Sequence, residues 1–185
     1  MTNLNYEIKT ERLLLRPLQD GDVPKMFEIL QKYPDITKFM TFDPPQKEEE
    51  TRAFFEASQK SFPEEHIRWG IFLKEEFIGT ISFDDIKRTR NACKLDKSGM
   101  GYWLNPEYHN QGIMTEAGKA LLKFGFEKLQ LHKVVIGHIS DNTASQKVIE
   151  KMGFRYIGEH KNQFFRFEKW WSEKIYEINA DEFKQ

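Results

Sequence analysis

The run Val134-Val135-Ile136-Gly137-His138-Ile139 sits between two segments of helical period. A continuous run rich in β-branched residues reads as a strand covered on both faces. Before it, residues 116–129 carry Ala117, Ala120, Leu121, Phe124 and Lys128 along one stripe. After it, Asp141-Asn142 caps a short helix whose inward residues are Val148, Ile149 and Met152. Gly153 suits the left-handed position that closes such a helix, and Phe154 folds back on its last turn. Residues 100–104 read as a strand stopped by Asn105-Pro106, and strand-like runs at 154–157 and 164–178 finish the chain. Strand, helix, strand, helix, strand implies an α/β sheet with some parallel pairing and antiparallel hairpins at its ends.

The first half is read with the same rules. Residues 13–18 form an apolar strand that ends, or lies at an edge, at Pro17, because proline cannot donate to a ladder. Asp20 or Asp22 caps a helix carrying Val23, Met26, Phe27 and Leu30. Asp43-Pro44-Pro45 breaks the chain, and residues 46–61 form a second helix with Ala53, Phe54 and Ala57 on its apolar face. Residues 69–73 and 77–83 pair as an antiparallel hairpin about Lys74-Glu75-Glu76. A polar stretch, 84–97, separates that hairpin from the next strand. Without repeats or a Gly/Ser linker, the chain reads as one domain over residues 1–185.

Charge narrows the partners. The formal net charge is −1, from 28 basic and 29 acidic residues, so no basic field favours nucleic acid and no polybasic anchor favours a membrane. Lys87-Arg88-Thr89-Arg90 is short and reads as a solvated loop. The single cysteine, Cys93, forbids an internal disulfide and agrees with a reducing cytoplasm. The first residues lack the basic and apolar regions of a signal peptide, and no apolar run reaches membrane-spanning length. The expectation is therefore a cytoplasmic protein.

Chemistry enters at residues 102–115, where a strand runs through a loop into a long helix. The first N–H groups of a helix have no internal partner, and the helix dipole adds positive charge there. Gly112 lets the backbone come close to a ligand. This is an anion site, suited to a diphosphate.

Further motifs follow in order. Asn142-Thr143-Ala144-Ser145 opens a helix that closes in Lys151-Met152-Gly153-Phe154, which resembles the N-x-x-S and K-x-G-F signature of the GNAT superfamily of N-acetyltransferases. His109-Asn110-Gln111-Gly112-Ile113-Met114-Thr115 resembles that superfamily's acetyl-CoA loop, Q/R-x-x-G-x-G/A. Arg12-Leu13-Leu14-Leu15-Arg16-Pro17 is similar to its opening run. Gly101-Tyr102-Trp103-Leu104 followed by Asn105-Pro106-Glu107-Tyr108 resembles the ribosomal-protein N-terminal (alanine) acetyltransferase branch. The resemblance spans about residues 10–180.

That resemblance implies a mixed, mostly antiparallel twisted sheet with one parallel splayed pair and helices on both faces. It implies transfer of acetyl from acetyl-CoA, a cosubstrate, to a protein N-terminus or a small-molecule amine, by direct attack in a ternary complex and without a metal. His109, Asn110, Gln111, Gly112, Ile113, Met114 and Thr115 would form the diphosphate loop, the amides of 111–115 being its donors. Trp103 and Leu104 would lie along the pantetheine arm, Asn142 would bond the cofactor, and Ser145 would protonate the leaving thiolate. An incoming amine must lose a proton to a base or a water relay.

Several positions depart from the family pattern. His109, Asn110 and Met114 replace commoner loop residues, Glu150 stands where many relatives carry a tyrosine acid, and Ser98-Gly99 stands where an Ala-Glu is common. Asp84, Asp85, Asp96 and His138 are alternative bases, each with an ordinary structural role as competitor. Trp170-Trp171 walls the acceptor groove, forms a homodimer surface or packs in the core. A non-catalytic acyl-CoA sensor is the competing reading. A Rossmann nucleotide domain is disfavoured, because no G-x-G-x-x-G follows an early strand.

Overall fold

The computed structural model describes residues 4–183. Its strands are β1 (Ile8–Lys9), β2 (Leu13–Pro17), β3 (Ile67–Leu73), β4 (Glu76–Arg90), β5 (Cys93–Leu104), β6 (Lys133–Ile139), β7 (Arg155–Arg166) and β8 (Lys169–Asn179). Its helices are α1 (Val23–Lys32), α2 (Glu48–Lys60), α3 (Ile113–Glu127) and α4 (Thr143–Met152). The strands form one sheet in the order β1-β2-β3-β4-β5-β6-β8-β7. Every pairing is antiparallel except β5 with β6.

Two apolar layers cover the sheet. On one face Leu13, Leu15, Ile81, Phe83 and Met100 pack against Leu121 and Leu122 of α3 and Ile149 and Met152 of α4. On the other, Phe72, Phe77 and Trp103 pack against Met26, Ile29 and Leu30 of α1, with Phe55 of α2 beside them. Alternation along each strand sends neighbouring residues to opposite layers, so the sheet separates the two helix pairs.

The structure corrects several local expectations. Asp22 does not cap α1; its carboxylate grips Arg16 at 2.7 and 2.8 Å and accepts the Gln19 N–H. A charge-assisted pair outcompetes a cap for the same oxygens. In α2 the expected apolar face points outward, with Phe54 41% exposed. Thr51, Phe55 and Ser58 turn inward instead, another face at helical spacing. The Phe54 ring meets the Arg68 guanidinium of β3, 4.5 Å from its centroid. Residues 84–97 are mostly strand, continuing β4 and β5 into a long ribbon that turns at Asn91 and Ala92. A two-sided polar ribbon carries no apolar alternation, which is why it reads as loop. The basic stretch 87–90 is the end of β4, where Lys87 pairs with Asp85 and Arg88 with Asp96. The α3 stripe is wider than expected, adding Gly118, Leu122 and Gly125, while Lys128 is exposed. In β6 one face is buried and the other is half open at Val135 and Gly137. The run 164–178 is two strands joined at Phe167-Glu168.

Candidate active site

The parallel pair β5–β6 holds register over three positions only, Lys97↔Lys133, Ser98↔Val134 and Gly99↔Val135. Beyond Gly99, β5 stays bound to β4 as far as Leu104, and beyond Val135, β6 stays bound to β8 as far as Ile139. Each strand follows its antiparallel partner, and the sheet opens between them. The unpaired edge of β5 therefore runs from Met100 to Leu104. Tyr102 and Leu104 pack with the layer of α3 and α4, and Trp103 with that of α1 and α2.

One end of this opening is the start of α3. Asn105 accepts the Glu107 N–H at 3.1 Å, Pro106–Tyr108 makes one 3-10 turn, and Asn110 and Gly112 are both left-handed, at φ 60° and 74°. Glu116 is the first residue to close a helical bond back, to the Gly112 carbonyl at 3.0 Å. The amides of Ile113, Met114 and Thr115 thus lack acceptors inside the helix. Side chains of the loop turn back on it: His109 Nε2 lies 3.0 Å from the Leu104 carbonyl, and Gln111 donates to the Glu107 carbonyl. Arg12 ties the loop to the first hairpin, donating to the Gln111 carbonyl at 3.1 Å and pairing with Glu116 at 2.6 Å. Ile113 and Met114 are buried, so at those two positions the main chain, not the side chain, is what the turn presents outward.

The α4 wall is built by its cap. Asn142 Oδ1 accepts the Ser145 N–H at 3.1 Å, which fixes the first turn and aims Ser145 at β5. There the Ser145 hydroxyl lies 2.8 Å from the Tyr102 hydroxyl. Burial pushes the Tyr102 pKa up to about 12, so the phenol is protonated throughout the physiological range. Two hydroxyls in contact, the larger one neutral, make a proton-donating pair. Glu150 is exposed and accepts from Gln146. His138 is a core histidine: its Nδ1 lies 2.8 Å from the Ile139 carbonyl, its ring stacks on Tyr176, and burial lowers its pKa.

The opposite face, below α1 and α2, carries carboxylates. Asp84, directly across from Gly99, sits 2.7 Å from Ser82 Oγ and 3.2 Å from Arg68. Asp85 is exposed and paired with Lys87; Asp96 lies at the far end of the ribbon, its pKa lowered chiefly by the hydrogen bond from Lys94. Of the sequence candidates for a base, only Asp84 therefore reaches the opening. Glu173 of β8, absent from those candidates, reaches it from the other side: a Cβ added at Gly137 would overlap its carboxylate.

The β7–β8 hairpin closes this face. Arg166 donates to the carbonyls of Thr37, Met40 and Phe42 and to Asp43, bridging to the segment between α1 and α2. Trp171 is buried, meets Phe39 edge to face and donates its indole N–H to the Arg166 carbonyl. Trp170 points away, 58% exposed beside Phe165. The tryptophan pair thus divides, one packing and one exposed. Tyr102 lay inside a recognisable motif, whereas Glu173 and Arg166 lie in a plain strand pattern with no local signal.

A helix start with unpaired amides, a splayed strand pair and a capped helix bearing a hydroxyl stand in one place. The family model described as the acetyltransferase (GNAT) domain matches residues 12–155. The chain belongs to the GNAT acetyltransferases. Its relatives agree: the Bacillus subtilis protein YnaD, described as an uncharacterized N-acetyltransferase, is 28% identical over 179 residues, 95% of this chain and 98% of that one. The Escherichia coli ribosomal-protein-serine acetyltransferase is 33% identical over 84 residues, 45% of this chain and 44% of that one. Among solved structures, RimL, a ribosomal L7/L12 alpha-N-protein acetyltransferase in complex with coenzyme A, superposes with a TM-score of 0.87 at 23% identity, over 95% of this chain and 99% of that one. A GNAT acetyltransferase from Bacillus anthracis superposes at 0.78 with 28% identity, over 95% and 99%. The GNAT chain described here is an N-acetyltransferase, with the expected mixed sheet and its single parallel pair. Among its described residues no helix is long and apolar enough to cross a membrane.

Proposed function

We propose that this domain, residues 1–185, transfers the acetyl group of acetyl-CoA to a primary amine by direct attack in a ternary complex. The observation that carries the reading is the opening between β5 and β6, which joins a bare helix start on one face to carboxylates on the other. The residues fit the cosubstrate. Three helix amides lack internal acceptors, and Gly112 adds no side chain in front of them. Acetyl-CoA supplies the activated acetyl group; the chain binds it and manages protons.

In this reading the amides of Gln111 to Thr115 hold the diphosphate, with His109 and Asn110 shaping the loop. Trp103 and Leu104 line the pantetheine path along the free edge of β5. Asn142 spends its oxygen on the cap, leaving its amide nitrogen for the cofactor. Ser145 gives its proton to the departing sulfur, and Tyr102 steadies that hydroxyl. Bringing both reactants together on opposite faces of one opening supplies much of the rate. The name of the Escherichia coli relative, a ribosomal-protein-serine acetyltransferase, supports a protein as acceptor. The lone Cys93 suits a reducing compartment, the cytoplasm.

One observation favours a second reading, an acyl-CoA-binding module: α4 has exposed Glu150 where a tyrosine acid is common. Calorimetry with CoA and thiol release across a panel of N-terminal peptides and small amines separate the two. The expected result is micromolar CoA binding and thiol release with at least one acceptor. Gly112→Val forces a β-branched residue into the left-handed region at a strain of roughly 1–3 kcal/mol, so CoA affinity should fall about tenfold or more. Binding without thiol release would replace the enzyme by the module, and no binding would sink both.

A further inference from the structure

Resting on that reading, we infer that Glu173 is the general base that takes the proton of the acceptor amine. The argument starts from two glycines. Gly99 pairs with Val135, so Gly101 and Gly137 stand two residues further along on either side of the opening. Alternation aims both at the face covered by α1 and α2. Each lacks the atom that would fill the space above it, and a carboxylate occupies that space in both cases. A Cβ at Gly101 would lie 3.1 Å from Asp84 Oδ2, and one at Gly137 would overlap Glu173. Two carboxylates thus flank the passage from the face opposite Tyr102 and Ser145. An ammonium group arriving there meets the Glu173 carboxylate on one side and the Arg68-paired Asp84 on the other.

The two carboxylates differ in their partners. Asp84 is held by Arg68, by the Ser82 hydroxyl and, at 3.5 Å, by His66. Those partners offset its charge and occupy its oxygens, so it is the poorer proton acceptor of the two. Among the described residues no lysine or arginine forms an ion pair with Glu173. From β7 it meets His160 at 3.6 Å; β6 presents Gly137 and, directly across in register, Ile139, neither of them charged, and Asp84 lies on the β4 side of the opening. Lys174 and Glu159, the neighbouring charged pair, lie on the other face by alternation. Burial raises the Glu173 pKa, with His160 pulling it back. A carboxylate raised toward neutrality is a better proton acceptor while still ionised.

The protons balance without an added reactant. One proton of the incoming ammonium passes to Glu173 and on to water. The freed lone pair forms the carbon–nitrogen bond as the carbon–sulfur bond breaks. Of the two protons left on nitrogen, one stays on the amide and one ends on the CoA sulfur, relayed by Ser145.

Glu173→Gln, compared with the unaltered chain, tests the assignment. The substitution should leave the CoA dissociation constant unchanged by calorimetry, which also shows that the variant folds. It should lower kcat about 10²-fold or more at saturating acceptor. The unaltered enzyme should gain kcat/KM with rising pH as Glu173 ionises, and the variant should lose that limb. Independently of turnover, the carboxyl NMR resonance missing from Glu173→Gln should titrate above the ordinary glutamate value of ~4.3. Wild-type kcat and an unchanged acid limb in Glu173→Gln would overturn the inference. So would loss of the limb in Asp84→Asn alone. An unaltered chain that releases no thiol would instead refute the acetyltransfer reading on which the inference stands.

Discussion

Tyr102 and Ser145 lie 43 positions apart, yet their hydroxyls meet at 2.8 Å. Removing one partner is expected to cost roughly 1 kcal/mol, or about fivefold to tenfold in kcat, for Tyr102→Phe, with CoA affinity unchanged. An unaltered kcat would remove Tyr102 from the proton path. The same residue gives a stability signature. It ionises near 12 in the fold and ~10 when unfolded, so the unfolded chain loses its proton first. Stability is therefore unaffected by this group below pH ~10 and falls by about 2–3 kcal/mol as pH rises to ~12. Denaturant midpoints at pH 9 and 11.5 should drop less in Tyr102→Phe than in the parent. Residues of this kind divide by range. Asn142 as a cap and Gly153 as a left-handed terminator are local devices, and both were legible. His138 Nδ1 meets the next carbonyl of its own strand while its buried Nε2 has no hydrogen-bond partner among the described residues, which strand pattern alone does not reveal.

Helix α4 was legible because period, cap and terminator agree along it, and α3 and β6 because an apolar stripe and a β-branched run mark them. What packing decides is which side of a helix becomes core. Gly125 shows the competition of terms. Alanine there gains about 1 kcal/mol of helix propensity. Its Cβ would lie 2.6 Å from the buried Phe83 ring, which is wedged edge-on against Trp69. An aromatic ring so held cannot step aside, and overpacking costs roughly 1–3 kcal/mol. Gly125→Ala should therefore be less stable than the parent by chemical denaturation; a gain would show that Phe83 repacks freely. The β4–β5 ribbon and the inward face of α2 were illegible for a related reason. A ribbon wet on both sides needs no apolar pattern, and α2 offers two competing faces at helical spacing, with nothing in the local pattern to choose between them.

Arg166 joins elements more than 120 positions apart, its guanidinium serving the carbonyls of Thr37, Met40 and Phe42. It holds the β7–β8 hairpin over the carboxylate-bearing face. Arg166→Ala strands three carbonyls and frees the hairpin tip; hydrogen bonds to a charged group are worth about 1.5–3 kcal/mol together with their geometry. The expected outcome is a higher KM for the acceptor, tenfold or more, with the CoA dissociation constant unchanged. Equal losses for both ligands would mean that the hairpin supports the whole fold instead. By itself, the chain's sequence determined the glycine-led helix start after residue 112, the capped helix bearing Ser145 and the strands that frame them, because those rest on period, glycine and caps within a few residues. The tertiary structure alone decided which face each strand presents and what lies across it. Sheet order places β8 between β6 and β7, out of chain sequence, and so brings Glu173 over Gly137. No local signal encodes that neighbour, since it follows from strand pairing between distant segments and from β5 and β6 each remaining with its antiparallel partner.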